Sequence, residues 1–116
     1  MTLHAMRAQD GDGVTVLRAR GELDVAVVPA LLPQLPELVS TAEAVVLDLT
    51  AVTFFDSSGV RLVDRLAREC ARVQAPFRVV APPHTPSRQV LDVVGLADAL
   101  ASDDLAAALS FVRRPG

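Results

Sequence analysis

The chain has 116 residues, 51% of them hydrophobic and 22% charged, the size and make-up of one globular domain with a single core and little room for a separate catalytic or DNA-reading unit. The formal net charge is −3 and all eleven basic residues are arginine, so no overall basic field draws nucleic acid or anionic lipid. With four Phe and neither Trp nor Tyr, stacking platforms for bases cannot be built in number, and the expected partners are proteins, with no nucleic acid and no membrane among them. No apolar run approaches the roughly 20 residues that span a bilayer. The first residues lack the basic-then-apolar pattern of a secretory signal, so the expected compartment is the cytoplasm.

In chain order, Asp10-Gly11-Asp12-Gly13 reads as a turn, followed by a strand over 14–20 whose β-branched residues nearly alternate. Residues near 3–8 are its expected hairpin partner. The stretch 24–39 has helical spacing, but Pro29 suits a helix start whereas Pro33 and Pro36 each remove a backbone donor, which predicts a late, kinked or frayed helix. Val45–Leu49 is a short, nearly continuous apolar run, as a central strand covered on both faces requires.

From Ser57 on, Leu62, Val63, Leu66, Ala67, Cys70 and Val73 share one helical face, and Arg61, Asp64, Arg65, Arg68, Glu69 and Arg72 the other. Asp64 with Arg68 and Arg65 with Glu69 are expected to pair on that solvated face. Cys70 is the only cysteine, which excludes an internal disulfide, and it reads as core. A strand over 77–81 ends at Pro82-Pro83. Thr85-Pro86 then opens a short helix to about Val94, closed by Gly95, and Ser102-Asp103-Asp104 opens a last helix to about Val112 ahead of Arg113-Arg114. His84, with no second histidine or cysteine nearby, reads as a loop residue. No metal and no cofactor are expected. Alternating strands and helices predict one α/β domain over residues 1–116, with a mixed, mostly parallel sheet of four or five strands flanked by about four helices.

Phe54-Phe55-Asp56-Ser57-Ser58-Gly59 falls where a strand-terminal loop becomes the amphipathic helix, the place at which α/β sheets present functional groups. Asp56 or Ser57 can cap the helix, and Gly59 permits close approach of a neighbour, so a purely structural account exists. A hydrolase nucleophile elbow needs glycine two residues before the serine, where Phe55 stands. A phosphoacceptor-aspartate receiver relies on a lysine, and the chain has none. The third reading makes a serine hydroxyl the target of another protein's kinase, adding a charge of about −1.5 to −2 at the surface.

Gly21-Glu22-Leu23-Asp24, Val45-Val46-Leu47-Asp48-Leu49, Phe54-Phe55-Asp56-Ser57-Ser58-Gly59 and Val90-Leu91-Asp92-Val93-Val94-Gly95-Leu96 together resemble the STAS family, over nearly the whole chain. Within it the sequence is similar to free-standing anti-sigma factor antagonists. The resemblance implies a non-enzymatic switch: the unphosphorylated domain, a monomer or weak dimer, binds an anti-sigma factor with serine kinase activity and so frees a sigma factor. Phosphorylation of Ser57, with Ser58 as a second candidate, ends that binding, and a phosphatase resets it. The implied partner-binding residues are Glu22, Asp24, Asp56, Ser57, Ser58, Gly59 and Arg61. Val27 stands where relatives often place Thr or Ser, so the first helix lacks its expected cap. The alternative role is a constitutive scaffold or accessory subunit of a signalling assembly or lipid-transport complex.

Overall fold

The computed structural model describes residues 6–113. Asp12 and Gly13 both take positive φ, 56° and 81°, which is the turn that matches the right-handed twist of two flanking strands. The chain therefore folds back tightly, pairing β1 (Met6–Gly11) antiparallel with β2 (Val14–Leu23). The expected partner strand is thus shifted along the chain, and residues 3–5 of that expectation lie outside the described residues. Three further strands follow, β3 (Ala44–Phe55), β4 (Phe77–Val80) and β5 (Ala101–Ser102), each parallel to its neighbour. The five-stranded sheet runs in sequence order, β1-β2-β3-β4-β5.

Right-handed crossovers that step always in one direction across a sheet leave their helices on the same face. Here α1 (Val28–Leu31), α2 (Leu35–Val39), α3 (Ser57–Arg72), α4 (Pro86–Val93) and α5 (Ala97–Leu100) supply one core with Leu17, Val45, Leu47, Leu49 and Val79 of the sheet. The final helix, α6 (Leu105–Val112), covers part of the opposite face, where Ala108 and Val112 meet Val14, Val16, Val46 and Val80. Val45 to Leu49 are all buried because both layers close over them.

The kink expected over 24–39 takes a definite form. Pro29, Pro33 and Pro36 each occupy the first or second position of a new segment: α1, a 3₁₀ turn (Leu32–Gln34) and α2. A first-turn N–H has no intrahelical partner, so no helical hydrogen bond is forfeited at any of the three. Val27 heads α1 without a side-chain cap; instead the carboxylate of Asp24 accepts the N–H groups of Ala26 (3.0 Å) and Val27 (3.2 Å).

Two further expectations are corrected. Glu69 pairs with Arg72 at 2.8 Å, not with Arg65, so the solvated face of α3 carries one i,i+3 and one i,i+4 pair, the latter Asp64–Arg68 at 3.0 Å. The strand over 45–49 runs on to Phe55 through two register shifts against β2, each adding a residue to β3. Asp48 is buried at the first of these, where its carboxylate accepts both the N–H and the hydroxyl of Thr50, with Arg18 at 3.9 Å. The extra residues carry β3 to the edge where the distinctive motif lies.

On the β4–β5 side of the sheet, Thr85 caps α4 as expected by accepting from the Arg88 N–H, and Asp104 caps α6 by accepting from the Ala107 N–H at 2.8 Å. Asp103 instead pairs with Arg88 at 2.7 Å, and Arg113 lies 3.7 Å from Asp12; Arg114 is outside the described residues. Arg78 on β4 closes the short edge strand by donating to Ser102 Oγ, Ala99 O and Ala101 O while its guanidinium sits 4.1 Å from the centre of the Phe111 ring.

Candidate functional site

Because β2 and β3 are parallel, both end at the same edge of the sheet, with Glu22 beside Phe54 and Leu23 beside Phe55. Each strand then terminates in an aspartate whose carboxylate turns onto the backbone N–H two residues later: Asp24 onto Ala26 at 3.0 Å, and Asp56 onto Ser58 at 2.8 Å. Asp56, extended at φ −133°, is the helix cap, and its carbonyl takes the first helical hydrogen bond, from Val60 at 3.1 Å. The strand passes into the helix through Asp56 alone, so the loop that the sequence suggested shrinks to a single residue.

This economy fixes Ser57. It is the first residue of α3, exposed, and among the described residues its hydroxyl makes no hydrogen bond within the chain. Ser58 is half-buried. Gly59 is buried beneath the Phe55 ring: a Cβ at this position would stand 2.5 Å from a ring carbon, so only glycine lets the helix approach the strand this closely. Gly59 thus acts in packing, and by holding the first turn of α3 against β3 it sets the direction in which Ser57 faces.

The edge brings together Glu22, Asp24, Asp56, Ser57 and Ser58, with exposed Arg61 one helical turn beyond Ser57. Asp24 and Asp56 are committed to backbone N–H groups, whereas Glu22 is exposed and makes no ion pair among the described residues. Phe54, 46% exposed, and Val25, 76% exposed, lie on the same edge and are the residues that the sequence reading passed over. The signal for Phe54 lay in the pair Phe54-Phe55, of which strand alternation turns one inward and one outward.

Elsewhere, the Cys70 thiol is buried, and burial, with Glu69 adding to it, pushes its pKa up to about 12. Among the described residues no group of three His, Cys, Asp or Glu is placed to hold a metal ion, and no helix is long and apolar enough to cross a membrane.

The fold and site define an α/β module that presents an exposed, uncommitted serine hydroxyl, that of Ser57, at a strand-to-helix junction. The STAS domain model matches residues 5–108, and the chain belongs to that family. An anti-sigma factor antagonist from Mycobacterium paratuberculosis is 30% identical, with a TM-score of 0.79 over 94% of this chain and 93% of the other. The anti-sigma factor antagonist SpoIIAA in its unphosphorylated form is 26% identical, with a TM-score of 0.78 over 94% of this chain and 96% of the other. The Bacillus cell fate determinant SpoIIAA has also been solved in a phosphorylated form, 25% identical with a TM-score of 0.72 over 94% of this chain and all of the other. A sulfate transporter family protein from Wolinella succinogenes, 17% identical, shares the fold at a TM-score of 0.72 over 89% of this chain and 87% of the other. No curated protein matches the sequence.

Proposed function

We propose that this chain is an anti-sigma factor antagonist whose binding to an anti-sigma factor with serine kinase activity is switched off by phosphorylation of Ser57 and restored by a phosphatase. The observation that carries the reading is the state of Ser57: exposed, first in α3, its hydroxyl free of partners within the described chain while Asp56 and Gly59 beside it are occupied with structure. The likeness to anti-sigma factor antagonists, one of them solved in a phosphorylated form, supports it. In this reading residues 1–116 form one STAS-like domain that binds and is modified rather than catalyses, working in the cytoplasm as a monomer or weak dimer.

The energetics suffice. A phosphoserine carries about −1.5 to −2 charges at neutral pH. Desolvating such a group against a partner costs several kcal/mol, whereas a hundredfold loss of affinity needs only about 2.7 kcal/mol. Within the free domain the same phosphate meets unpaired N–H groups and the positive end of the α3 dipole, so the modification leaves the fold intact.

The test is intact-mass analysis of the protein incubated with ATP and the anti-sigma kinases of its own cell, followed by peptide mapping. A single phosphate on Ser57 is the expected result. Unmodified protein in the presence of a demonstrably active kinase overturns the switch and favours a constitutive scaffold.

A further inference from the structure

We propose that Phe54 and Val25, together with the Glu22 carboxylate, form the anchor of the partner interface, and that the partner presents an apolar pocket with an arginine or lysine on its rim. The inference rests on the binding reading above and adds to it the residues that carry affinity and the chemistry that meets them.

Three observations converge. First, the two aromatic rings at the end of β3 have opposite fates: Phe55 is 5% exposed against Gly59, while Phe54 is 46% exposed. The remaining half-exposed ring, Phe111, differs because the Arg78 guanidinium lies over its face. Phe54 has no such cover among the described residues. Second, Val25 is 76% exposed in the turn that follows β2, the strand paired with the end of β3, so two apolar side chains flank one short stretch of edge. Half-buried aromatic residues dominate protein interfaces because a rigid ring gains much contact area and loses little entropy.

Third, the charge beside this pair is uncommitted. Glu22 is in register with Phe54, and it alone of the three edge carboxylates receives neither a backbone N–H nor an ion pair among the described residues. A partner that desolvates Phe54 desolvates Glu22 as well, and that is favourable only with a cation opposite. An arginine there also gains from the face of the Phe54 ring. Ser57 follows the same strand end that carries Phe54 and Glu22, so a phosphate on it adds negative charge at the rim of this contact, where a partner has to desolvate it.

The experiment is titration of the anti-sigma kinases of the same cell with wild-type protein and with Phe54→Ser, Val25→Ser and Glu22→Lys, each variant first checked by thermal melting to retain the wild-type fold. Weakening of at least tenfold for Phe54→Ser and Glu22→Lys, a smaller loss for Val25→Ser, and a salt dependence that Glu22→Gln reduces are the expected results. Wild-type affinity in folded Phe54→Ser and Glu22→Lys overturns the anchor while leaving the binding reading intact. A wild-type protein that binds none of these kinases overturns both.

Discussion

The Phe55 ring and Gly59 occupy one another's space: a single methyl group on Gly59 would come within 2.5 Å of the ring. Strand end and helix start are thereby locked together, with Asp56 the sole residue between them.

Gly59→Ala is therefore expected to destabilise the domain by about 1–3 kcal/mol, the range for overpacking a filled site. The change also displaces the first turn of α3, so binding at the Ser57 edge falls further than stability does. Chemical denaturation set beside partner titration separates the two effects.

Asp56→Ala removes the acceptor for the Ser58 N–H and is expected to cost about 0.5–2 kcal/mol, the usual penalty for losing a helix cap. Asp56→Asn keeps an acceptor and is expected to lose less. Equal melting temperatures for wild type and Asp56→Ala would show that the cap is not what holds the turn.

Ser57→Ala is expected to bind the partner like the unmodified protein and to resist switching. Ser57→Asp carries one negative charge where phosphate carries nearly two, and is expected to weaken binding only in part. Calorimetric titration of both variants checks this, and indistinguishable affinities would refute the switch.

Cys70 gives a pH signature. Its folded pKa, pushed up to about 12 first by burial and then by Glu69, lies above the ordinary 9.0. For an acid raised on folding, the contribution to stability is complete below the ordinary value and declines as pH climbs from there toward 12. Stability is expected to drop above pH 9 in the wild type more steeply than in Cys70→Ala, and thiol reagents are expected to modify Cys70 only as fast as the domain opens.

Arg78→Lys keeps a charge on β4 but not the planar fork that serves Ser102 Oγ and two carbonyls while lying on Phe111. A loss of about 1–3 kcal/mol is expected from the hydrogen bonds alone. It is measurable by denaturant unfolding, together with faster amide exchange at Ala101 and Ser102.

The layout was legible where periodicity is uninterrupted. The sixteen residues of α3 keep one apolar face throughout, and its start at Ser57 could be read, as could the Thr85 cap of α4. The second half of β3 was hidden because two extra residues break the alternation that marks a strand, leaving Thr50, Ala51, Thr53 and Phe54 as an apparent loop. The two-residue β5 and the four-residue α5 are too short to show any period, and they exist through tertiary contacts such as those of Arg78. Ser57 was singled out as a candidate through its motif. Phe54 and Val25 were not, since exposure is a property of the assembled edge.

Sequential strand order governs how the molecule can be made. Each new parallel strand joins the open side of a sheet already in place, so none has to wedge itself between two earlier ones as the chain leaves the ribosome. Only α6 arrives out of step, last in the chain and on the far face, where it shelters Val16, Val46 and Val80. A nascent chain halted before Leu105 would thus hold a finished serine edge above a bare apolar back, the proposed binding surface complete before the protein carrying it is fit to remain in solution.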